Sequence, residues 1–334
     1  MEDSAPPAWQ LIRLMDGFVT TQLIYVAAKL GVVELLAEGP RTGAEIAEVV
    51  GAGSLPLTRV LRGLVALGVL DERTDDRFTL TDVGRALGPL RDMAVVRGEL
   101  YYRAAAGLLD SVRDGGTAFD RVYGEPFFDH LSSHADLEAR FQGSMAGRSA
   151  QEALDVVAAY DFSGLRTIVD VGGGHGVLLA TILSTSPQLR GILLDRDAAL
   201  AGARTHLQAV GMSERTACVA GDFFTQVPDG ADAYLLSRVL HDWSDDDALR
   251  ILQTCRRAIP DHGRLLVVDA ILPDHAADAP FAIGMDLHMM LLFNARERTA
   301  AEFDTLLRRA DFTVRRTTLT GSPAHLGIIE ATPS

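Results

Sequence analysis

The sequence predicts an α/β chain in two parts. A helical N-terminal region with a winged-helix pattern precedes an open, mostly parallel sheet covered by helices on both faces. Three observations carry this. Helical apolar spacing dominates from Trp9 to about Leu109, short apolar strands alternate with helical runs from Thr167 onward, and a glycine-rich turn follows the first of those strands. The 334 residues allow two domains, and 48% apolar with 23% charged residues is ordinary for a globular chain. The boundaries are expected at 1–100 for the first domain, 101–160 for a helical connector and 161–334 for the sheet domain.

In the first domain, Leu23, Val26, Ala27, Leu30, Val33 and Leu36 recur at spacings of three and four. Thr42-Gly43-Ala44-Glu45 reads as a capping box opening a helix through Val50. Ser54-Leu55-Pro56 opens another that carries Leu57, Val60, Leu61, Leu64 and Val65. Val69-Leu70 and Phe78-Thr79-Leu80, separated by a polar turn, read as a hairpin. Helices followed by a hairpin make a winged helix, which can place its last helix in the DNA major groove. That helix offers only Arg59 and Arg62, and Lys29 to Leu90 holds seven basic against nine acidic residues. The basic footprint of a DNA reader is missing, so packing or dimerisation is the expected role.

The sheet domain is read from five apolar strands: Thr167–Val171, Gly191–Asp195, Ala217–Ala220, Ala233–Leu236 and Arg264–Val268. Helical runs at Val177–Leu183, Ala198–Val210 and Asp245–Ala258 separate four of them. A helix at Ala300–Ala310 precedes two closing strands, Phe312–Thr318 and Leu326–Ala331.

Composition narrows the chemistry. A net charge of −14 opposes general binding to nucleic acid or anionic membrane. No run of about 18 apolar residues occurs and the start, Met1-Glu2-Asp3-Ser4, is acidic, so a cytoplasmic protein is expected. Cys218 and Cys255 lack a CxxC spacing and are expected to be buried structural thiols. Lys29 is the only lysine, which argues against Schiff-base chemistry. His130 and His134 could share a helix face, yet no third metal ligand is evident, so no metal is expected.

Asp170-Val171-Gly172-Gly173-Gly174-His175-Gly176 joins the first strand of the sheet to its first helix. Glycines there let a ligand approach the backbone, and the helix N-terminus favours negative charge. Asp195 ends the next strand, 19 residues after Gly176, where an acid can bind ribose hydroxyls. That placement also suits a nicotinamide cofactor, but the spacing is G-x-G-x-G rather than G-x-G-x-x-G. Asp170 beside the loop would repel a diphosphate and suits a ligand carrying an ammonium and a sulfonium. Gly221-Asp222-Phe223-Phe224 follows the third strand, where a carboxylate can accept from adenine and a ring can stack on it. Leu240-His241-Asp242-Trp243-Ser244-Asp245 follows the fourth. Ser244 as a helix cap with three aspartates behind it accounts for the acids but leaves His241 unexplained.

In this order, D-x-G-G-G-x-G, a strand-end Asp, G-D-F-F and L-H-D-W-S-D, the sequence resembles the S-adenosylmethionine-dependent O-methyltransferases of small aromatic molecules, the caffeate and bacterial polyketide type. The resemblance runs nearly full length. It implies a Rossmann-like class I methyltransferase domain, and an N-terminal winged-helix-like domain that forms a homodimer. His241 matches the family's general base, and Asp269 and Glu297 match the two acids that orient it. Asp269 stands where glutamate is usual and is one methylene shorter. For S-adenosylmethionine the matched positions are Gly172, Gly174, Asp195, Asp222, Phe223, Ser237, Arg238 and Ser149. For a small aromatic substrate they are Phe141, Met145, Met290 and Asn294, with Asp242 and Met289 nearby. Met285, Met289, Met290 and Phe293 read equally well as helix core.

The function expected is methyl transfer to a phenolic hydroxyl of a polyketide-like natural product, without metal, nucleic acid or membrane partners. Two alternatives stay open. Some relatives use the same cofactor for hydroxylation or decarboxylation, and a winged-helix regulator with a ligand-sensing domain has the same outline.

Overall fold

A computed structural model describes residues 6–334, apart from Asn294 and the side chain of Ala146; Met1 to Ser4 and Asn294 of the residues singled out above lie outside the described residues. The chain divides into two units, Met1–Gly147 and Arg148–Ser334.

In the first unit, Thr42 caps the helix Gly43–Val50 as its sequence promised. Its hydroxyl accepts from the Glu45 amide at 3.2 Å and the Glu45 carboxylate accepts from the Thr42 amide at 2.7 Å. The apolar face of Ser54–Ala66 buries Leu57, Leu61 and Leu64 against Val33, Leu36, Ile46 and Phe78. Val60 and Val65 are half-buried at the margin of that core. Strands β1 (Arg41–Thr42), β2 (Leu70–Glu72) and β3 (Arg77–Leu80) form an antiparallel sheet in the order β1-β3-β2. The hairpin is the one expected, with its first strand shifted to leave out Val69 and extend through Glu72 and its second begun at Arg77; β1 is too short to show a period. Arg62 is held by Glu72 of the hairpin at 2.9 Å, so one of the two arginines on the last helix is already engaged. The helix Pro7–Met15 buries nothing, and Trp9, Leu11, Leu14 and Met15 are all exposed.

The second unit holds strands β4 (Thr167–Val171), β5 (Arg190–Asp195), β6 (Thr216–Ala220), β7 (Ala233–Ser237), β8 (Arg264–Leu272), β9 (Arg298–Thr299), β10 (Phe312–Leu319) and β11 (Leu326–Pro333). Their order is β10-β11-β8-β7-β4-β5-β6, with β9 pairing β8 off that path. The five strands from β8 to β6 run parallel, while β11 and β10 close the sheet antiparallel. The chain order reverses between β4 and β7, and in open parallel sheets that switch point is where a crevice for ligands opens at the strands' carboxyl ends. The strands there are anchored by complete burial of Ile168, Val169, Val171, Tyr234, Leu235 and Leu236, each such aliphatic side chain contributing roughly 1.5–3 kcal/mol.

Helices Val177–Thr185, Asp197–Ala209 and Asp245–Ala258 separate the parallel strands as expected. Ser244 accepts from the Asp247 amide at 3.2 Å, and Asp245 to Asp247 fill the first turn. Cys255 is buried, its thiol pushed up to about 12, and is inert; Cys218, expected to be buried too, is only half-buried because β6 is the sheet's edge strand. No single described helix is long and apolar enough to cross a membrane.

Candidate active site

Two turns meet the criterion of the switch point: the glycine loop after β4 and the segment Ser237 to Asp242 after β7. In the loop, Gly172, Gly174 and Gly176 have φ of 74°, 54° and 73°, a left-handed conformation that other residues rarely adopt. A Cβ on Gly172 would stand 3.0 Å from Val239 and 3.3 Å from Phe223, whereas one on Gly174 would meet nothing within 4 Å. The loop is therefore tight on one side and open on the other. The Gly174 amide donates to the Asp195 carboxylate at 2.8 Å, and the second oxygen of that carboxylate accepts from the Arg196 amide at 2.7 Å. Asp195 is thereby fixed beside the loop.

Asp170 lies under the same loop, 2% exposed, and its Oδ1 has no hydrogen-bond partner. Burial, reinforced by the nearby charge of Asp195, pushes its carboxyl up to about 7. A buried acid in this state is stabilised by any cation brought to it. After β6, the exposed Asp222 carboxylate accepts from the Phe224 amide at 2.9 Å, and the half-buried Phe223 ring approaches Gly172. The aromatic cluster is continued by Phe224 and Trp243, which meet edge to face with ring centroids 4.7 Å apart. An acid at ribose distance from a glycine loop, an exposed acid beside an aromatic face, and a buried orphan acid fit S-adenosylmethionine in its ribose, adenine and cationic parts.

Beyond β7, Arg238 takes a left-handed backbone, φ 55°, which costs a non-glycine residue about 1–2 kcal/mol. Its amide donates to Val268 at 2.9 Å, and its guanidinium clasps Glu152 through Nη2 at 2.6 Å and Nε at 3.2 Å. Nη1 lies 3.6 Å from Glu297. Glu152 also has Arg148 at 3.5 Å. Ser237 is half-buried at the end of β7, and Ser149 is exposed on the helix that carries Arg148 and Glu152.

His241 sits in the short turn Leu240–Asp242 and is 4% exposed. Glu297, 1% exposed, is 3.1 Å from its Nδ1; Asp242 is 3.4 Å from its Nε2; Asp269, at the end of the parallel pairing of β8, is 4.0 Å from Nδ1. Thus Glu297 makes the hydrogen bond and Asp269 falls short of one, as the missing methylene anticipates. Both Asp269 oxygens and Glu297 Oε2 lack hydrogen-bond partners. Burial opposes a charge on His241, but the carboxylates of Asp242, Asp269 and Glu297 outweigh it and hold the imidazole at about 9. Burial also raises Asp269, to about 7. Glu297 resists its own burial and lies below the usual carboxylate range, because His241 and Arg238 face it. The donor atoms of His241, Asp269 and Glu297 lie within 4.8 Å of one another, a spacing that a divalent cation could also bridge.

Met289 is 6% exposed and packs with Met285, Ala295 and Phe293, while Met290 is half-buried on the same helix, Pro280–Phe293. Asp242 has a side chain 42% exposed. In the first unit, Phe141 is buried against Phe127, ring centroids 5.2 Å apart, and Met145 is half-buried. His130 and His134 stack at 4.1 Å, with Glu125 on His130 Nδ1 at 2.7 Å. Sequence reasoning missed Glu152, Asp286 and Arg298. Asp286 accepts from the Glu297 amide at 2.8 Å, and Arg298 is a fully buried guanidinium. Only the adjacency of Arg298 to Glu297 could have pointed to it.

Fold and site together define a class I methyltransferase domain that follows an N-terminal dimerisation domain. Residues 106–313 match the O-methyltransferase domain family, and residues 12–88 match the O-methyltransferase dimerisation domain. The chain belongs to this family of S-adenosylmethionine-dependent enzymes. It is 40% identical over 328 residues to a phenazine O-methyltransferase of Lysobacter antibioticus, covering 97% of this chain and 95% of the relative. Among solved structures it resembles a mitomycin 7-O-methyltransferase with TM-score 0.91 and 36% identity, over 98% of both chains. It also resembles an O-methyltransferase from neocarzinostatin biosynthesis, solved with S-adenosylmethionine and 2-hydroxy-5-methyl naphthoic acid, with TM-score 0.81 and 35% identity, over 94% of this chain and 96% of the other.

Proposed function

We propose that this protein transfers a methyl group from S-adenosylmethionine to a phenolic hydroxyl of a polycyclic aromatic natural product, with His241 as the general base. The observation that carries the reading is the His241–Glu297 pair, a buried imidazole fixed through Nδ1 at 3.1 Å on the turn beside the glycine loop. Glu297 occupies one ring nitrogen, so Nε2 is the atom that takes the acceptor's proton. Binding to Asp195, Asp222, Phe223 and the loop glycines Gly172 and Gly174 would hold the cofactor, with Asp170 answering its positive charge and Ser149, Ser237 and Arg238 bounding its methionine end. The bound sulfonium supplies an electrophilic methyl group.

The chain's own contribution is to position and deprotonate the acceptor. A phenol with pKa near 10 costs about 4 kcal/mol to ionise at pH 7 in water. Transfer to the neutral imidazole, which holds its proton at about 9, is uphill by about 1.4 kcal/mol, but freeing that ring of its proton at pH 7 costs about 2.7 kcal/mol first, so the base works increasingly well as pH rises toward 9. Holding oxygen and methyl carbon in line can contribute more, roughly 7–11 kcal/mol in favourable cases. Met289, Met290 and Asp242 are the proposed acceptor contacts; Phe141 and Met145 are kept as expectations from the family match. Asn294 is outside the described residues and is kept as an expectation from the family match. The reaction needs no metal in this reading, because the sulfonium already activates the methyl group. The exposed apolar side chains Trp9, Leu11, Leu14 and Met15 support a homodimer formed through the matched dimerisation domain.

The test is incubation with methyl-labelled S-adenosylmethionine, in EDTA and under air, with a panel of hydroxylated naphthoates, phenazines, anthracyclines and flavonoids, followed by mass analysis. A labelled product 14 mass units heavier, methylated on oxygen, supports the reading. Products changed by +16 or −44 would assign the hydroxylating or decarboxylating chemistry instead, and loss of activity in EDTA would bring a metal back to the triad.

A further inference from the structure

Arg298 is the largest fully buried side chain among the described residues, and its guanidinium makes no contact with bulk water. Its contacts are with one short stretch of chain. Nη1 donates to the Leu240 carbonyl at 2.7 Å and Nη2 to the Trp243 carbonyl at 2.9 Å, so the two bonds bracket the turn that carries His241. Nε at 3.0 Å and Nη2 at 2.8 Å also donate to Asp245, which anchors the clamp in the first turn of the following helix. Arg296 reinforces Asp245 at 3.0 Å. The backbone of Arg298 is itself fixed, since β9 pairs with β8 at Ile271. The preceding residue is Glu297, whose carboxylate holds His241 Nδ1 and whose amide is tied to Asp286.

We propose that Arg298 is a positioning residue for the methyl-transfer step, fixing the His241 turn to the same strand that presents Glu297, so that base and orienting acid keep one mutual geometry. A planar fork with five donors can bridge two carbonyls and a carboxylate at once, whereas an ammonium cannot span them. A buried guanidinium serving only stability would have no need to select the two carbonyls that flank the base. This inference rests on His241 being the base.

The test uses full-length protein labelled at histidine Cε1, with S-adenosylhomocysteine bound. The resonance that is missing from His241→Ala reports the imidazole, and its titration is followed in wild type, Arg298→Lys and Asp245→Asn, together with turnover of the best phenol from the panel. Asp245 has a side chain 45% exposed, so its variant keeps the test alive if the lysine variant fails to fold. The expected result is a displaced or broadened His241 titration and a 10–100-fold loss of kcat in Arg298→Lys, a smaller loss in Asp245→Asn, and S-adenosylhomocysteine affinity and acceptor KM within twofold of wild type. A lowered melting temperature with unchanged titration and kcat would overturn the clamp and leave Arg298 a stabilising residue. If His241→Ala retains full turnover, the base reading fails, while the titration still decides whether Arg298 positions the ring.

Discussion

Replacing Glu297 with glutamine separates the two things that residue does for His241. The amide oxygen can still accept from Nδ1, so the ring stays oriented, but the negative charge is gone. In the wild type His241 is lifted from 6.5 to about 9, which corresponds to about 3.4 kcal/mol of preference for the protonated ring. Three carboxylates share that lift, at 3.1 Å for Glu297, 3.4 Å for Asp242 and 4.0 Å for Asp269. Taking away one of the three lowers the imidazole, by on the order of one pH unit if they contribute comparably. The assay is kcat/KM against pH from 5.5 to 10 with a single phenolic acceptor. Wild type is expected to climb about tenfold per pH unit and level off near 9, because only the neutral imidazole accepts a proton. Glu297→Gln should level off about one unit lower and reach a plateau up to tenfold lower, its base being weaker. The acceptor's own ionisation is common to both proteins, so the displacement belongs to the enzyme. Superimposable profiles, or profiles flat across this range, would show that the Glu297 charge does not set the proton affinity of His241.

Gly172→Ala forces a side chain onto a φ of 74° with Val239 at 3.0 Å. The left-handed strain alone costs about 1–2 kcal/mol, so a lower melting temperature and weaker S-adenosylhomocysteine binding by calorimetry are expected. Asp170→Asn removes a buried acid whose folded pKa of about 7 lies above its unfolded value. A carboxyl raised in this way favours the fold below pH 4 and loses that contribution as pH rises through 7. The asparagine variant should therefore gain melting temperature relative to wild type at pH 8 more than at pH 5, in the absence of cofactor, while binding S-adenosylhomocysteine more weakly. An equal difference at both pH values would show that Asp170 is ionised in the folded protein.

Local rules made much of this fold legible. Thr42 with Glu45 and Ser244 with Asp247 cap their helices because a short side-chain acceptor three residues ahead of a free amide has little else to do. The parallel strands announced themselves by unbroken apolar runs, since both of their faces are covered. The site was legible in pieces: a glycine loop, an acid at a strand end, an unexplained histidine. What joined His241 to Asp269 and Glu297 was resemblance, because 56 residues separate the bonded pair His241 and Glu297 and no period connects them. Contact geometry stayed hidden as well. Asp269 is short of His241 by the length of one methylene, while Arg238 turns toward Glu152, 86 residues earlier. Arg298 escaped notice because two of its acceptors are backbone carbonyls, which any sequence would supply, and the third, Asp245, lies 53 residues earlier in the chain.

The most direct measurement is single-turnover methyl transfer by His241→Ala, with cofactor affinity measured alongside, using acceptor phenols of graded acidity. A general base matters only while there is a proton to remove. If His241 is the base, S-adenosylhomocysteine binding stays intact and turnover falls by two or more orders of magnitude at pH 7 with a phenol of pKa near 10. That loss should vanish with an acidic phenol already ionised at that pH. An equal loss for every acceptor, or no loss for any of them, would contradict the assignment of His241 as the base.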